Sequence, residues 1–107
     1  MLQGILYTVM ERGENSATVR LLSESPVYKA HFPGFPITPG VTLLQMALEL
    51  MGGSSLSGAR EIKFMVPVLP GDGACIRFDW AFKDEHSVAV SIFLPDGTQA
   101  AKMSLSV

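Results

Sequence analysis

The residue best placed to do chemistry is His31, because it opens a segment in which rigid residues are concentrated. The segment reads His31-Phe32-Pro33-Gly34-Phe35-Pro36-Ile37-Thr38-Pro39-Gly40. Its three prolines and two glycines exclude a helix and predict a rigid, mostly extended loop. A neutral imidazole in such a loop can remove a proton from carbon, because its pKa lies near neutral pH. The alternative is a structural histidine that bonds the carbonyl groups of the loop prolines.

An almost wholly apolar helix is predicted after this loop, from Pro39 or Gly40 to Met51. A proline suits the first turn of a helix, and Gly52-Gly53 suit its end because glycine tolerates the left-handed cap. The apolar residues of this helix are Val41, Leu43, Leu44, Met46, Ala47, Leu48, Leu50 and Met51. A helix that is apolar nearly all round is expected to be surrounded by protein.

Three polar residues interrupt the apolar helix, and helical spacing places them on one narrow stripe. They are Thr42, Gln45 and Glu49, which follow one another at three and four residues along one side of the helix. Such a stripe needs polar partners or water. The alternative to a functional stripe is one whose side chains satisfy each other at a contact between two copies of the chain.

The rest of the chain alternates apolar and polar residues as strands do. Weakly apolar segments at 5–10 and 17–22 precede the loop, and strand patterns at 62–66, 76–82, 88–94 and 101–107 follow the helix. The last three patterns predict a meander of hairpins with one apolar face. One apolar helix between such strands predicts an α+β fold, an antiparallel sheet wrapped around one central helix. The prediction is a single domain over residues 1–107.

The overall composition narrows the class of protein. The 107 residues are 48% hydrophobic and 17% charged, with a net charge of −2. The absence of a basic cluster argues against nucleic acid as a partner. No apolar run reaches the roughly 18 residues that span a bilayer, and no charged segment precedes an apolar one at the start, so a cytoplasmic protein is expected. Cys75 is the only cysteine, which excludes an intrachain disulfide and suggests a small core residue on its strand.

Two blocks of sequence resemble a known family. The segment from His31 to Val41, followed by an apolar helix, closely resembles the signature of the hot-dog-fold 3-hydroxyacyl-(acyl carrier protein) dehydratases, and residues 63–72 are similar to that family's downstream strand and turn. The resemblance implies the hot-dog fold and the dehydration of a 3-hydroxyacyl thioester to the trans-2-enoyl thioester, without metal or cofactor. It also implies an acyl carrier protein with a phosphopantetheine-linked acyl chain as partner, and a homodimer or a dimer of dimers.

The resemblance gives the residues of the loop and helix start their expected roles. His31 is the candidate base that removes the C2 proton. The backbone N–H groups of Gly40 and Val41 are expected to stabilise the negative charge that grows on the thioester oxygen, because Pro39 has no N–H to donate. The residues expected to line the substrate are Phe32, Pro33, Gly34 and Phe35.

The chain departs from the family at one position of the helix. The family places a glutamate or aspartate fourteen residues after the histidine, contributed across the dimer interface, and this chain has Gln45 there. An amide cannot donate a proton as an acid. Gln45 can instead hold a water that protonated His31 recharges, or Glu49 can substitute as the acid, although its side chain begins about 6 Å further along the helix. A third possibility is a second, carboxylate-bearing subunit.

Two other functions fit the same fold. One is an acyl-thioester hydrolase in which a water held by Gln45 or Glu49 attacks the carbonyl. The other is a catalytically weak acyl-binding subunit that pairs with a competent dehydratase.

Overall fold

An antiparallel sheet is the main element of the computed structural model, which describes residues 2–30, 37–53, 55–71 and 73–107. The strands in these residues are β1 (Tyr7–Arg12), β2 (Ser16–Leu21), β3 (Gly58–Phe64), β4 (Cys75–Phe82), β5 (Ser87–Phe93) and β6 (Gln99–Ser106). They form a six-stranded sheet in the order β1-β2-β4-β5-β6-β3, and every neighbouring pair is antiparallel. The predicted meander is confirmed in β4, β5 and β6.

Two helices lie between β2 and β3 in sequence. The short helix α1 (Pro26–Ala30) was not predicted, and α2 (Gly40–Leu50) ends one residue before the predicted limit. Pro39 precedes α2 with φ −61°, which suits entry into a helix. Gly52 and Gly53 follow it with φ of 100° and 78°, a conformation that glycine adopts without strain.

The core lies between α2 and one face of the sheet. The side chains of Leu43, Met46, Ala47 and Leu50 on α2 are buried in one cluster with inward-facing residues of the strands. The strand residues of this cluster include Val19, Ile76, Phe78, Trp80, Val90, Ile92 and Met103. The predicted α+β architecture, an antiparallel sheet around one apolar helix, is therefore confirmed.

One side of α2 is not covered by the described residues of its own chain, contrary to the expectation of an all-round buried helix. Val41 is 74% exposed, Gln45 is exposed and Leu44 is only partly buried. The sheet packs against α2 from one side, so the residues on the opposite side stay accessible. The part of the chain that the structure describes therefore leaves an apolar strip of α2 open.

The edge strand β3 is also more exposed than its apolar alternation suggests. Ile62 and Phe64 are 36% and 51% exposed, because β3 pairs only with β6 among the described strands and lies at the end of the sheet.

Cys75 is exposed, and the expectation that it is a small core residue is wrong. On β4 the even-numbered residues Ile76 and Phe78 point inward, so Cys75 falls on the outer face.

Candidate active site

The loop that carries the predicted base is only partly described. His31, Phe32, Pro33, Gly34 and Phe35 lie outside the described residues, so their roles stay predictions. The flanks of this segment are described on both sides, at α1 and at Ile37–Thr38–Pro39.

A buried hydrogen bond joins the two flanks of this loop. The Tyr28 hydroxyl and the Thr38 hydroxyl are 2.8 Å apart, and each residue is only 3% exposed. Burial raises the pKa of Tyr28 against the opposing effect of the Thr38 bond, so the tyrosine keeps its proton at neutral pH. The Thr38 N–H also donates to the Val68 carbonyl at 2.8 Å. The chain before and after residues 31–36 is therefore held together in the core.

The start of α2 presents the two N–H groups that were predicted to bind a thioester oxygen. Pro39 accepts hydrogen bonds from Thr42 and Leu43 at 3.0 and 3.1 Å. The N–H groups of Gly40 and Val41 have no partner among the described residues. The first turn of a helix also carries the positive end of the helix dipole. This turn can therefore donate to an oxygen that becomes negative.

An aromatic ring lies directly against Gly40 at this turn. A Cβ atom on residue 40 would be 2.5 Å from Cζ of Phe64, closer than real side chains approach one another. The Phe64 ring occupies the space that a side chain at residue 40 would need. Phe64 is 51% exposed, so its ring forms part of an accessible wall.

A cleft of about 310 Å³ opens beside this turn. Its lining residues are mainly apolar: Ile37, Thr38, Pro39, Gly40, Leu43, Phe64, Met65, Val66, Pro67 and Val68. Both sequence blocks that carry the family resemblance contribute to it, the end of the loop and the segment after β3. The cleft is therefore suited to an apolar chain next to backbone donors that no other described residue engages.

Gln45 and Glu49 meet on the exposed side of α2, as their spacing predicted. Gln45 Nε2 donates to Glu49 Oε2 at 3.1 Å. Gln45, Val41, Leu44 and Leu48 border a second, open cleft of about 520 Å³, together with Ser55 and Leu56. Gln45 therefore faces accessible space next to apolar side chains.

Glu49 is fully engaged by the start of the chain, which the sequence did not indicate. Its carboxylate accepts the Leu2 N–H at 2.9 and 3.0 Å, the Gln3 N–H at 3.2 Å and the Tyr7 hydroxyl at 2.9 Å. These residues precede Glu49 by more than forty positions, and no motif links them. Patterns of local spacing cannot reveal such a contact.

The electrostatics of Glu49 favour its charged form. Partial burial raises the pKa of its carboxyl, but the hydrogen bonds from Leu2, Gln45, Tyr7 and Gln3 together outweigh burial and lower that pKa. Burial, with the bond and the charge of Glu49, also holds the pKa of Tyr7 far above its ordinary value. Glu49 at neutral pH is therefore an acceptor with little tendency to carry a proton.

Comparison with known proteins shows which family the chain matches. Residues 9–104 match the family ApeI-like, described as ApeI dehydratase. The 3-hydroxyacyl-(acyl-carrier-protein) dehydratase FabZ of Haemophilus influenzae (strain PittEE) is 37% identical over 76 residues, which are 58% of this chain and 51% of that protein. The chain spans about half the length of the curated relatives it matches.

Solved structures agree in fold. The dehydratase heterocomplex ApeI:P from Xenorhabdus doucetiae matches with a TM-score of 0.67 and 21% identity over 92% of both chains. The Escherichia coli PaaI protein matches with a TM-score of 0.57 and 15% identity over 92% of this chain and 79% of that one. These likenesses confirm the hot-dog fold. None of the helices in the described residues is both long and apolar enough to cross a membrane.

The hydrogen bonds to the Glu49 carboxylate predict how the stability of the fold changes in acid. A carboxyl whose pKa is lowered by folding stabilises the folded state above its unfolded pKa, and this stabilisation is lost as the pH falls through the folded pKa. We therefore expect Glu49→Gln to lower the free energy of unfolding at neutral pH. The difference from the native chain should shrink below the ordinary glutamate pKa of 4.5.

Urea unfolding of both proteins from about pH 7 to about pH 3 measures this difference. Glu85→Gln, which changes an exposed carboxyl in the turn between β4 and β5, is the control. A difference between Glu49→Gln and the native chain that stays constant over this pH range would contradict the assignment.

Proposed function

The chain belongs to the ApeI-like dehydratase family, and we propose that it converts a 3-hydroxyacyl thioester to the trans-2-enoyl thioester, with the acyl chain carried on the phosphopantetheine of an acyl carrier protein. The observation that supports this most strongly is the family match across residues 9–104, which includes the His31 loop and the whole of α2. The N–H groups of Gly40 and Val41, which have no partner within the described part of the chain, lie beside an apolar cleft and support an acyl thioester as substrate.

In the proposed reaction His31 takes the C2 proton and the C2–H electron pair forms the C2=C3 bond. The C3–O bond breaks, and the departing hydroxyl takes the proton from the His31 imidazolium to leave as water. Negative charge grows on the thioester oxygen while the C2 proton leaves, and the N–H groups of Gly40 and Val41 stabilise it. Phe32, Pro33, Gly34 and Phe35 line the substrate in this proposal.

Gln45 is proposed to hold the departing hydroxyl or a water, and Glu49 is not proposed as the acid. Glu49 already accepts hydrogen bonds from two backbone N–H groups, a tyrosine and Gln45. Its lowered pKa leaves it unprotonated at neutral pH, whereas a general acid must carry a proton. Gln45 is exposed toward accessible space, so it is the residue of the pair that a substrate can reach.

A second function, a partner subunit of a competent dehydratase, is favoured by one observation. Gln45 occupies the position of the family's carboxylate, and Glu49 is ionised at neutral pH. No carboxylic acid on α2 can therefore protonate the departing hydroxyl. The solved dehydratase ApeI:P is a heterocomplex, and a second chain with a carboxyl at this position would supply the missing acid. A hydrolase remains the other alternative, and it differs in its product.

We also propose that the chain dimerises along β3. This strand has one edge that pairs with no other described strand, and its apolar side chains Ile62 and Phe64 are accessible. An unpaired edge exposes backbone N–H and C=O groups that pair readily with another strand. The uncovered side of α2, with Val41 74% exposed, adds apolar surface that a second copy would bury.

The proposed reaction predicts a specific product. We expect the native chain to convert 3-hydroxyacyl thioesters of carrier protein or pantetheine to enoyl thioesters, followed by the enoyl absorbance, without release of free thiol. His31→Ala should lower the rate by about 10²–10⁴, the usual contribution of a general base. Full activity in His31→Ala would contradict the mechanism, and free thiol would indicate a hydrolase. Activity only after addition of a carboxylate-bearing relative would indicate the partner subunit.

The Gln45→Glu variant tests whether the chain lacks an acid. The new carboxyl would lie beside the Glu49 carboxylate, because Gln45 Nε2 is 3.1 Å from Glu49 Oε2. Two neighbouring carboxylates raise the pKa of one of them, so the introduced carboxyl would hold its proton to a higher pH than an isolated glutamate does. We expect the dehydration rate to rise on the order of 10²-fold, with the gain lost as the pH rises above that pKa.

Gln45→Met, which keeps the length of the side chain but not its hydrogen bonds, is the matched control and should show no gain. An unchanged rate in Gln45→Glu would indicate that the native chain needs no carboxyl at this position.

Dimerisation along β3 predicts a difference between the two edges of the sheet. Light scattering should give twice the 11.5 kDa mass of one chain. Ile62→Lys on β3 should give the single mass, because a buried unpaired charge opposes association. Met10→Lys on the opposite edge strand, where Met10 is 51% exposed, should leave the dimer intact. A native single mass, or loss of the dimer only in Met10→Lys, would contradict this interface.

A further inference from the structure

The hydrogen bond between Gln45 and Glu49 determines which end of the Gln45 side-chain amide faces the open cleft. Gln45 Nε2 donates to Glu49 Oε2 at 3.1 Å. The Glu49 carboxylate is itself fixed from the other side by Leu2, Gln3 and Tyr7. A primary amide has two different ends, a carbonyl acceptor and an NH₂ donor, and its hydrogen-bond network decides which way it turns.

An ionised carboxylate accepts hydrogen bonds and donates none. If the Gln45 amide turned over, its carbonyl oxygen would face an acceptor, and both oxygens would lose a hydrogen bond. The four donors around Glu49 keep it ionised at neutral pH. The Gln45 NH₂ therefore stays on Glu49, and the Gln45 carbonyl oxygen is left on the accessible side.

We infer that Glu49 is a positioning residue that keeps the Gln45 carbonyl oxygen turned toward the open cleft that Gln45 borders with Val41 and Leu48, so that Gln45 selects acyl chains with a hydrogen-bond donor. This inference rests on the proposed function. In that reaction the 3-hydroxyl is the donor on the acyl part of the substrate, and the enoyl product has none. Gln45 therefore favours the 3-hydroxyacyl substrate over both the product and a saturated chain.

A binding experiment without turnover tests this selectivity. The probes are 3-hydroxyoctanoyl pantetheine amide and octanoyl pantetheine amide, which differ only in the hydroxyl and have no thioester to hydrolyse. We expect the native chain to bind the hydroxylated probe about three- to tenfold more tightly, the effect of one net hydrogen bond. In Glu49→Gln, residue 49 both donates and accepts, so the Gln45 amide loses its fixed direction and the preference should fall to less than about twofold.

Tyr7→Phe is the matched control. It removes one of the donors to Glu49, the Tyr7 hydroxyl at 2.9 Å, and leaves the contact between Gln45 and Glu49 in place. We expect this variant to keep the native preference. Equal loss of the binding preference in Tyr7→Phe and Glu49→Gln would overturn the inference. The preference would then depend on how Leu2, Gln3 and Tyr7 are held by Glu49, and not on the direction of the Gln45 amide. A native preference that survives in Glu49→Gln would overturn it as well.

A measurement on the native chain keeps the inference testable if Glu49→Gln does not fold. The Gln45 side-chain amide resonance in a nitrogen–proton NMR spectrum should shift with pH as Glu49 titrates, with a midpoint below 4.5, the ordinary glutamate value. An amide resonance that does not move would overturn the inference. Failure of the native chain to bind either probe counts against the acyl-thioester function, while the titration still decides how Gln45 is held.

Discussion

The packing of α2 against the sheet fixes the rotation of this helix, and the helix residues of the candidate site depend on that rotation. Leu43, Met46, Ala47 and Leu50 are buried, and each buried leucine or methionine contributes about 1.5–3 kcal/mol. A rotation by one residue would turn the helix by about 100° and expose much of this surface. With these residues inward, Gln45 can only lie on the open side.

Glu49 links three parts of the fold that are distant in sequence. The start of the chain, β1 through Tyr7, and the second half of α2 meet at its carboxylate. The end of α2 is tied to β1 a second time, since Arg12 donates to the Leu50 carbonyl at 2.8 Å. The Glu49 carboxylate, with its several hydrogen-bond donors, therefore holds these parts of the fold together. Its neighbour Gln45 is the residue on this side of the helix that is proposed to act in the reaction.

The sequence predicted the parts of the fold that depend on local pattern. Proline and glycine marked the limits of α2 to within a residue, and the alternation of apolar residues located β4, β5 and β6 and the face that each buries. The three- and four-residue spacing on α2 also predicted that Gln45 and Glu49 lie together. These features depend on residues close to one another in the chain, where spacing is informative.

The features that the sequence did not predict depend on long-range contacts. The position of β3 at the edge of the sheet, which exposes Ile62 and Phe64, follows from strand order and not from alternation. The Phe64 ring against Gly40 joins residues from different elements. The attachment of Leu2 to Glu49 joins residues 47 positions apart. Apolar pattern alone gives no order of strands and no partner for a lone carboxylate.

The attachment of Leu2 has a practical consequence for work with the protein. Because the Leu2 N–H lies within 3.0 Å of Glu49, any peptide fused ahead of residue 2 starts next to the Gln45 side of α2. A purification tag at that end would sit beside the surface on which substrate and a second copy are proposed to meet.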